Sequence, residues 1–408
     1  MSSRWLEVPG HVTENPGDLP KAFRAAGVAA GIKPSGGMDV GLLVCSEPDC
    51  VSATRFTRSG ILAAPVVLTK TRARQDAIRV VIVNSGNANA ATGNRGFEQA
   101  ARTQGAAAMA GGVREDQVAV ASTGVIGVQL DAGDIIRGIV RARGDLREYG
   151  HGDFSESIQT TDKFPKEVEV DVALPSGTVR LTAQAKGAGM ISPNFATMLC
   201  FVQTDAKLEA GFADLLLGLC VERSFDRISV DGQLSTNDTV IFQASGASGV
   251  AVAAESEDAT KFGEALDWAL RKLALDIVRD GEGSKRIGRV VVRGGSDNVV
   301  ETVARAIANS PLVKAALHGG DPNWGRIVQA VGGVLTDTAP LAVDVFIENV
   351  QVCAAGMAIP FDVAALAEAV GGDEVEYDVV LPGSGAETEV FFSDLSHEYV
   401  TINADYTT

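Results

Sequence analysis

A single threonine, Thr197, stands between a loop-like approach and an apolar run in the segment KGAGMISPNFATMLCFVQTDA, residues 186–206. Pro193 restricts the approach, Ala196 leaves the preceding carbonyl accessible, and residues 198–202 are typical of a buried strand. A threonine hydroxyl is a nucleophile only when a base takes its proton. Thr197 is thus either a structural residue at the start of a strand, which is the commoner case, or a nucleophile whose base must be found.

That base need not come from another residue. If the Ala196–Thr197 peptide bond is cut, Thr197 gains an α-amine, which titrates near pH ~8 and accepts the hydroxyl proton. The same hydroxyl can make the cut by attacking the Ala196 carbonyl carbon in an N-to-O acyl shift that hydrolysis completes. The alternative is a Ser/Thr–His–Asp triad, but the four histidines are isolated in the sequence: His11, His151, His318 and His397.

Acyl chemistry at a hydroxyl also needs donors for the developing oxyanion. The segment AVASTGVIG, residues 119–127, is an apolar strand that breaks into Ser-Thr-Gly. Gly124 allows a backbone N–H to approach a ligand closely, and the Thr123 hydroxyl is a second donor beside it. The pair is a candidate oxyanion hole, and a plain strand-to-turn junction is the alternative.

Short strands and helices alternate along the chain and must position these groups. Apolar or alternating runs predict strands at 78–83, 166–174, 289–293, 341–347, 375–381 and 399–403, with a hairpin after 174. Helical spacing predicts a helix through Ile135 and Ile139, a buried helix segment at 215–220, and an amphipathic helix over 266–277 that stops at DGEG. The mixture predicts an α/β fold containing antiparallel sheet, with boundaries near 176–189 and 283–289.

Composition excludes several classes of protein. The chain has 408 residues, 46% hydrophobic and 21% charged, with a net charge of −17, which is typical of a globular protein. It has no cluster of basic residues that would bind nucleic acid, no apolar stretch long enough to cross a membrane and no export signal. We therefore expect a cytoplasmic protein that binds neither nucleic acid nor a membrane. The five cysteines are scattered, and no ligand spacing predicts a metal site or cofactor.

Eight segments together resemble one family, the ornithine acetyltransferases of arginine biosynthesis, also called glutamate N-acetyltransferases. They are VNSGNANAATG (83–93), STGVIG (122–127), TTDKFPKEV (160–168), KGAGMISPNFATML (186–199), STNDT (235–239), DGEG (280–283), DPNWGRI (321–327) and NADYTT (403–408). One such segment would be weak evidence. Eight in the family's order, spread over nearly the whole chain, are highly specific.

The resemblance implies a layered sandwich of β-sheets between helices, like N-terminal-nucleophile folds, with a second, smaller α/β domain. It implies self-cleavage into an α chain, 1–196, and a β chain, 197–408, which assemble as α2β2. Thr197 is then the nucleophile, and Thr123 and Gly124 form the oxyanion hole. The implied substrate-binding positions are Thr160, with Thr161 as an adjacent alternative, Lys186, Thr197, Glu282, Asn403 and Thr408.

The expected reaction is ping-pong. N2-acetylornithine acetylates Thr197 and leaves as ornithine, and glutamate then takes the acetyl group. Lys186 would face a carboxylate or support ionisation of the amine. Glu282 would hold a substrate ammonium or take its proton, although a glutamate at a helix end is more often solvated. Some members also use acetyl-CoA, so the acyl donor stays open.

Four departures from the family pattern leave substrate preference open: Gln233-Leu234, Lys163, the segment 283–290 and His318. A specialised amino-acid substrate is therefore one alternative. A related aminopeptidase or amidase, with water as the final acceptor, is another, because only the second attack differs. A binding or scaffold protein that never cleaves is the non-enzymatic alternative.

Overall fold

Short strands are spread along the chain. The computed structural model describes residues 3–192 and 198–405. In chain order the strands are β1 (Val12–Glu14), β2 (Phe23–Val28), β3 (Val40–Cys45), β4 (Val51–Phe56), β5 (Val80–Asn87), β6 (Val118–Val125), β7 (Lys166–Leu174), β8 (Gly177–Lys186), β9 (Leu199–Thr204), β10 (Ile228–Ser229), β11 (Thr239–Ala244), β12 (Ile287–Arg293), β13 (Asp344–Ile347), β14 (Val350–Ala354), β15 (Met357–Ala358), β16 (Glu374–Val380) and β17 (Glu387–Ser393).

Helices fall between these strands. They are α1 (Ala64–Arg72), α2 (Gly93–Gly111), α3 (Ala132–Asp145), α4 (His151–Ile158), α5 (Ala210–Arg223), α6 (Glu257–Arg279), α7 (Asp297–Ala308), α8 (Pro311–Gly319), α9 (Trp324–Val334), α10 (Val363–Ala369) and α11 (His397–Asp405). None of the described helices combines the length and apolarity needed to cross a membrane.

Two sheets pack face to face in the first unit. One has six strands in the order β1-β7-β8-β9-β11-β4, and the other has four in the order β2-β3-β5-β6. Phe201 and Ile241 of the six-stranded sheet share one core with Leu43 and Val81 of the four-stranded sheet. Helices α5 and α6 pack on the outer face of the larger sheet, and α2 and α3 on that of the smaller. The layered α/β prediction is confirmed.

Both faces of β9 are covered, which explains its apolar sequence. Leu199 and Phe201 point into the core between the sheets, whereas Cys200 and Val202 point to the helices outside. Successive strand side chains alternate between faces, so a strand covered on both sides is apolar at every position. The strand predicted after Thr197 from this run is therefore confirmed.

A second, smaller unit is built mostly from the chain after α6, and the short strand β10, which precedes α6, joins the edge of its sheet. Its sheet has the order β10-β17-β12-β16-β13-β14-β15, and α7, α8 and α9 pack on it around a separate core. The boundary predicted near 283–289 falls at the start of β12, which begins at Ile287. The boundary predicted near 176–189 is wrong, because β7, β8 and β9 are successive neighbours in one antiparallel sheet.

The C-terminal strand predicted at 399–403 is also wrong, because these residues lie in α11. Tyr399, Val400 and Ile402 favour strands, but β preference depends on a partner strand and a surface to cover. Instead the Ser396 hydroxyl accepts the Tyr399 N–H at 3.3 Å, the bond of an N-cap serine. A hydroxyl outside the apolar run thus decides the local structure.

Helix α5 confirms the helix predicted at 215–220 but not its full burial. Leu216, Leu217 and Cys220 are buried, whereas Leu215 and Leu219 are 56% and 50% exposed. A helix on the outside of a sheet buries one face only, so the leucines of the opposite face lie in solvent.

Candidate active site

One pocket collects the predicted site residues from distant parts of the chain. The lining includes the ends of β6 and β8, the loop after β8, the turn before β11 and a residue of α11. Its residues are Ala88, Thr123, Gly124, Ile126, Thr160, Thr161, Lys186, Gly189, Met190, Ser235, Thr236, Asn237, Glu282 and Asn403. The predicted nucleophile and cleavage bond, Ala196 and Thr197, and the predicted contact Thr408 lie outside the described residues.

The candidate oxyanion pair lies where β5 and β6 run side by side. The parallel register pairs Gly86 with Gly124, and a Cβ built on Gly124 would lie 2.4 Å from the Gly86 carbonyl carbon. Gly124 also has φ +128°, which other residues rarely adopt. Only glycine fits at this position, and Thr123 beside it is 3% exposed.

Lys186 is the last residue of β8 and is also 3% exposed. Its Nζ donates to the Thr160 Oγ1 at 2.7 Å and to the Thr123 Oγ1 at 3.4 Å. An ammonium group only donates hydrogen bonds, so both hydroxyls accept from it. Each hydroxyl therefore keeps its own proton free to donate into the pocket, which suits Thr123 to an oxyanion.

Asp162 forms an ion pair with Lys186. Sequence analysis missed it as a site residue, although it lies within the TTDKFPKEV segment. Its side chain is fully buried, 3.9 Å from the Lys186 Nζ and 2.7 Å from the Lys166 Nζ. Burial favours the neutral acid, but Lys186 and Lys166 outweigh it and hold the pKa of Asp162 well below its usual range. Asp162 is thus a fixed anion.

Buried charges of opposite sign alternate from Lys186 through Asp162 and Lys166 to Asp280. Burial lowers the pKa of Lys186, opposed chiefly by Asp162. Lys166, with no side-chain exposure, also lies 2.6 Å from Asp280, whose carboxylate accepts the Lys163 N–H. Two lysines and two aspartates therefore balance one another, and the set depends on tertiary contacts that sequence spacing does not reveal.

Glu282 is not a solvated residue at a helix end, because it is 6% exposed. Its backbone N–H donates to the Ala188 carbonyl at 2.9 Å, and its Oε2 accepts from the Asn403 Nδ2 at 2.8 Å. A Cβ on Gly189 would lie 2.7 Å from the carboxyl carbon. The loop after β8 passes directly against this carboxylate, and Gly189 makes that approach feasible.

The STNDT segment supplies a wall of the pocket that residue-type reasoning did not assign. Ser235, Thr236 and Asn237 line it. The Asn237 Nδ2 donates to the carbonyls of Ala88 at 2.7 Å and Ser122 at 2.9 Å. This amide ties the turn before β11 to the ends of β5 and β6, so it fixes the two sheets relative to each other at the pocket.

Lys163 and His318, two of the family departures, lie away from the pocket lining. Lys163 is exposed and meets Asp280 through its backbone N–H alone. His318 Nδ1 lies 2.7 Å from the Asp394 carboxylate in the second unit. Neither residue contacts Thr160 or Lys186 in the described bonds, so these departures do not alter the pocket wall directly.

One group of possible metal ligands lies elsewhere, on α4 and β7. The ligand atoms of His151, Glu167 and Glu169 lie within 4.8 Å of one another. His151 and Arg180 already pair with the Glu169 carboxylate, at 3.3 and 3.5 Å. None of these three residues lines the pocket. The expectation that the enzyme uses no metal stays a prediction.

Fold and pocket together define a layered α/β protein with a polar pocket for a small charged molecule. Two stacked sheets between helices enclose a narrow site with one ammonium, one carboxylate and several hydroxyl and backbone donors. Such a site is suited to a small zwitterionic molecule and to stabilising negative charge that develops on it.

Comparison with known proteins identifies the family. The ArgJ family model matches residues 24–408. The arginine biosynthesis bifunctional protein ArgJ of Nitratidesulfovibrio vulgaris is 42% identical over 390 residues, covering 95% of this chain and 98% of its own length. That of Geobacter sulfurreducens is 42% identical over 394 residues, covering 95% and 99%. A solved chain of Mycobacterium tuberculosis ornithine acetyltransferase complexed with ornithine is 36% identical, covers 45% of this chain and 98% of its own, and has a TM-score of 0.41.

The chain therefore belongs to the ArgJ family, which confirms the ornithine acetyltransferase family predicted from the motifs and, with it, an acyltransferase of arginine biosynthesis.

Proposed function

We propose that this enzyme moves an acetyl group from N2-acetylornithine to glutamate through an ester on Thr197, after cutting its own Ala196–Thr197 bond. The observation that carries the proposal is the convergence on one pocket of Thr123, Lys186 and Glu282, which are far apart in sequence. Leu199, two residues after Thr197, pairs directly with Lys186 across β8 and β9.

Self-cleavage comes first. The Thr197 hydroxyl attacks the Ala196 carbonyl carbon, the C–N bond breaks, and the nitrogen takes a proton to become the Thr197 amine. Water then hydrolyses the ester, which leaves a carboxylate on Ala196 and a free hydroxyl on Thr197. The new amine is the base that the hydroxyl needs for later turnovers.

Acetyl transfer uses the same parts twice. The Thr197 Oγ attacks the acetyl carbonyl carbon while the α-amine takes its proton, and the oxyanion accepts hydrogen bonds from the Thr123 hydroxyl and the Gly124 N–H. The proton passes to the departing ornithine nitrogen. Glutamate then attacks the ester through its amine, and N-acetylglutamate leaves with Thr197 restored.

Two opposite charges support recognition of an amino-acid substrate. The Glu282 carboxylate, already held by Asn403, accepts a substrate ammonium, and Lys186 faces a substrate carboxylate. Thr160, or Thr161 beside it, adds a hydroxyl, and Thr408 is proposed to complete the site. Ornithine and glutamate both carry the α-amino-acid group that these charges fit.

The sheet order supports a cut enzyme whose two chains stay together. Strands β9 and β11 belong to the proposed β chain, 197–408, and lie between β8 and β4 of the proposed α chain, 1–196. Backbone hydrogen bonds on both sides join the chains after cleavage. We propose that they assemble further as α2β2 in the cytoplasm.

A second acyl donor is part of the proposal. The relatives from Nitratidesulfovibrio vulgaris and Geobacter sulfurreducens are named bifunctional proteins. Acetyl-CoA as donor to glutamate would supply the second activity on the same Thr197 ester. No organic cofactor is needed for either half-reaction.

Two measurements test the function. Intact mass of the purified protein should give two fragments in place of one 42.3 kDa chain, and Thr197→Ala should stay whole and inactive. Thr178→Ala, an exposed threonine at the far end of β8, is the control and should cleave and turn over normally. Product analysis with N2-acetylornithine should show N-acetylglutamate. If acetate forms at the same rate with and without glutamate, the enzyme is a hydrolase and the proposal fails.

A further inference from the structure

The loop after β8 carries two pocket-lining residues, Gly189 and Met190, past the Glu282 carboxylate. Met190 has φ +53°, a left-handed conformation that a methionine rarely adopts. Such a conformation persists only when the surrounding contacts hold it, and residues held in this way cluster at binding and active sites. The contacts of Met190 therefore shape one wall of the pocket.

Those contacts come from the half-buried carboxylate of Asp231. Its Oδ2 accepts the Met190 N–H at 2.7 Å, and its Oδ1 accepts the Ile191 N–H at 2.9 Å. In return, the Ile191 carbonyl accepts the N–H groups of Val230 at 2.8 Å and Gly232 at 3.2 Å. The side chain of Asp231 and the backbone around it thus hold the loop from both directions.

The same carboxylate is also bonded to α11. The Tyr399 hydroxyl donates to the Asp231 Oδ2 at 3.4 Å. One turn later, the Asn403 Nδ2 donates to the Tyr399 carbonyl at 3.0 Å and to the Glu282 Oε2 at 2.8 Å. The loop and α11 both contact the Glu282 carboxylate, so Asp231 is bonded to two elements that surround the proposed ammonium site.

An ionised carboxylate suits this position because several donors converge on it. The Gln233 N–H donates to Oδ1 at 3.1 Å, beside the N–H groups of Met190 and Ile191 and the Tyr399 hydroxyl. A carboxylate only accepts hydrogen bonds, whereas an asparagine amide would turn an NH2 group toward some of these donors. Burial raises the pKa of Asp231, and the three N–H groups oppose that rise by favouring the ionised form.

We propose that Asp231 is a positioning residue for substrate binding: its carboxylate holds Met190 in the left-handed conformation and so keeps the 189–191 wall against Glu282. The substrate and the role of Glu282 rest on the proposed function, whereas the hold on Met190 does not. Asp231 is not one of the described residues that line the pocket, and it acts through the loop.

Asp231→Asn tests this role, because the amide cannot accept both loop N–H groups through two oxygens. Asp205→Asn is the matched control: Asp205 is a buried carboxyl directly after β9, and it accepts the Arg180 N–H at 2.9 Å. For Asp231→Asn we expect KM for N2-acetylornithine to rise about tenfold, with kcat within about threefold, because uniform substrate binding is lost. Asp205→Asn should keep both wild-type values, measured on the cut enzymes.

A second background separates this role from a general loss of stability. Glycine populates positive φ about as readily as negative φ, so Met190→Gly should depend less on Asp231. The rise in KM caused by Asp231→Asn should therefore fall from about tenfold to about threefold or less in the Met190→Gly background. Equal rises in the two backgrounds would overturn the inference.

A structural measurement tests the inference independently of activity. A crystal structure of Asp231→Asn on a Thr197→Ala background should show Met190 at negative φ, and a φ that stays near +53° overturns the inference. A wild type that transfers no acetyl group overturns the proposed function alone, since the φ of Met190 still decides the role of Asp231. If Asp231→Asn does not fold, Asp231→Glu replaces it: its displaced oxygens should raise KM, and an unchanged KM counts against the role.

Discussion

The Nζ of Lys186 lies 3.4 Å from the Oγ1 of Thr123, which joins the end of β8 to the end of β6. The two strands belong to different sheets, so this contact is made only when the sheets stack. An ammonium group cannot accept a hydrogen bond, so the Thr123 hydroxyl accepts from Lys186 and its own proton points away from Lys186. One buried lysine thereby sets the direction in which the proposed oxyanion donor points.

Removing that donor should slow the chemistry and leave binding alone. Thr123→Ala should lower kcat about 10²-fold for acetyl transfer and slow self-cleavage similarly, since one oxyanion hydrogen bond is lost in both. Thr123→Ser keeps the hydroxyl and should recover most of the rate. Single-turnover acetylation and intact-mass time courses measure the two steps. Equal rates for the alanine and serine variants would contradict the donor role.

A methyl group at position 189 should displace Glu282. In Gly189→Ala the new Cβ would lie 2.7–2.8 Å from the carboxylate atoms, so the carboxylate must move and its bond to Asn403 is lost. A hydrogen bond to a charged group contributes about 1.5–3 kcal/mol, so we expect KM for N2-acetylornithine to rise at least about tenfold. Gly332→Ala, with open space around its Cβ, is the control. Unchanged KM would argue that Glu282 does not hold the substrate.

The contact between α11 and Glu282 should be sensitive to charge more than to size. Asn403→Ala removes one hydrogen bond from Glu282, whereas Asn403→Asp places a second carboxylate against it. The aspartate variant should therefore bind substrate more weakly than the alanine variant at pH 7. Steady-state KM values for both variants decide this. The opposite order would show that Asn403 acts through its shape.

Lys314 should make the free energy of unfolding depend on pH above about pH 7. It is buried on α8, where its Nζ donates to the Ser393 Oγ at 3.2 Å, and burial lowers the pKa of Lys314 to about 7 against the charges of Asp394 and Asp231. In the unfolded chain a lysine titrates near pH ~10.4. Between these values the unfolded state binds the extra proton, so this group makes the free energy of unfolding rise with pH, by up to about 1.4 kcal/mol per unit.

Lys314→Met lacks that contribution. The unfolding free energy of wild type minus variant should therefore increase from pH 7 to pH 9 and be flat below pH 6, where both states hold the proton. Denaturant titrations on a Thr197→Ala background keep a single chain in both proteins. Parallel stability curves across this range would show that Lys314 is not strongly desolvated.

Local hydrophobic periodicity predicted the type of element correctly wherever burial decides which residues are apolar. Both arms of the β7–β8 hairpin, the amphipathic helix α6 and the apolar strand β9 follow from periodicity, because burial on one face or on two dictates which residues are apolar. The pattern failed at 399–403, where the side chain of Ser396 caps a helix instead.

The motifs determined the family, since eight ordered segments leave little room for coincidence, and they predicted which residues form the site. Only the tertiary structure decided how those residues meet. Asp162, Lys166 and Asp280 balance Lys186 through space, and Asp238 reaches Met198 across neighbouring strands. Periodicity reports which face of an element is buried, whereas the partner of a buried charge depends on which elements are brought against it, and that is a property of the stacked sheets.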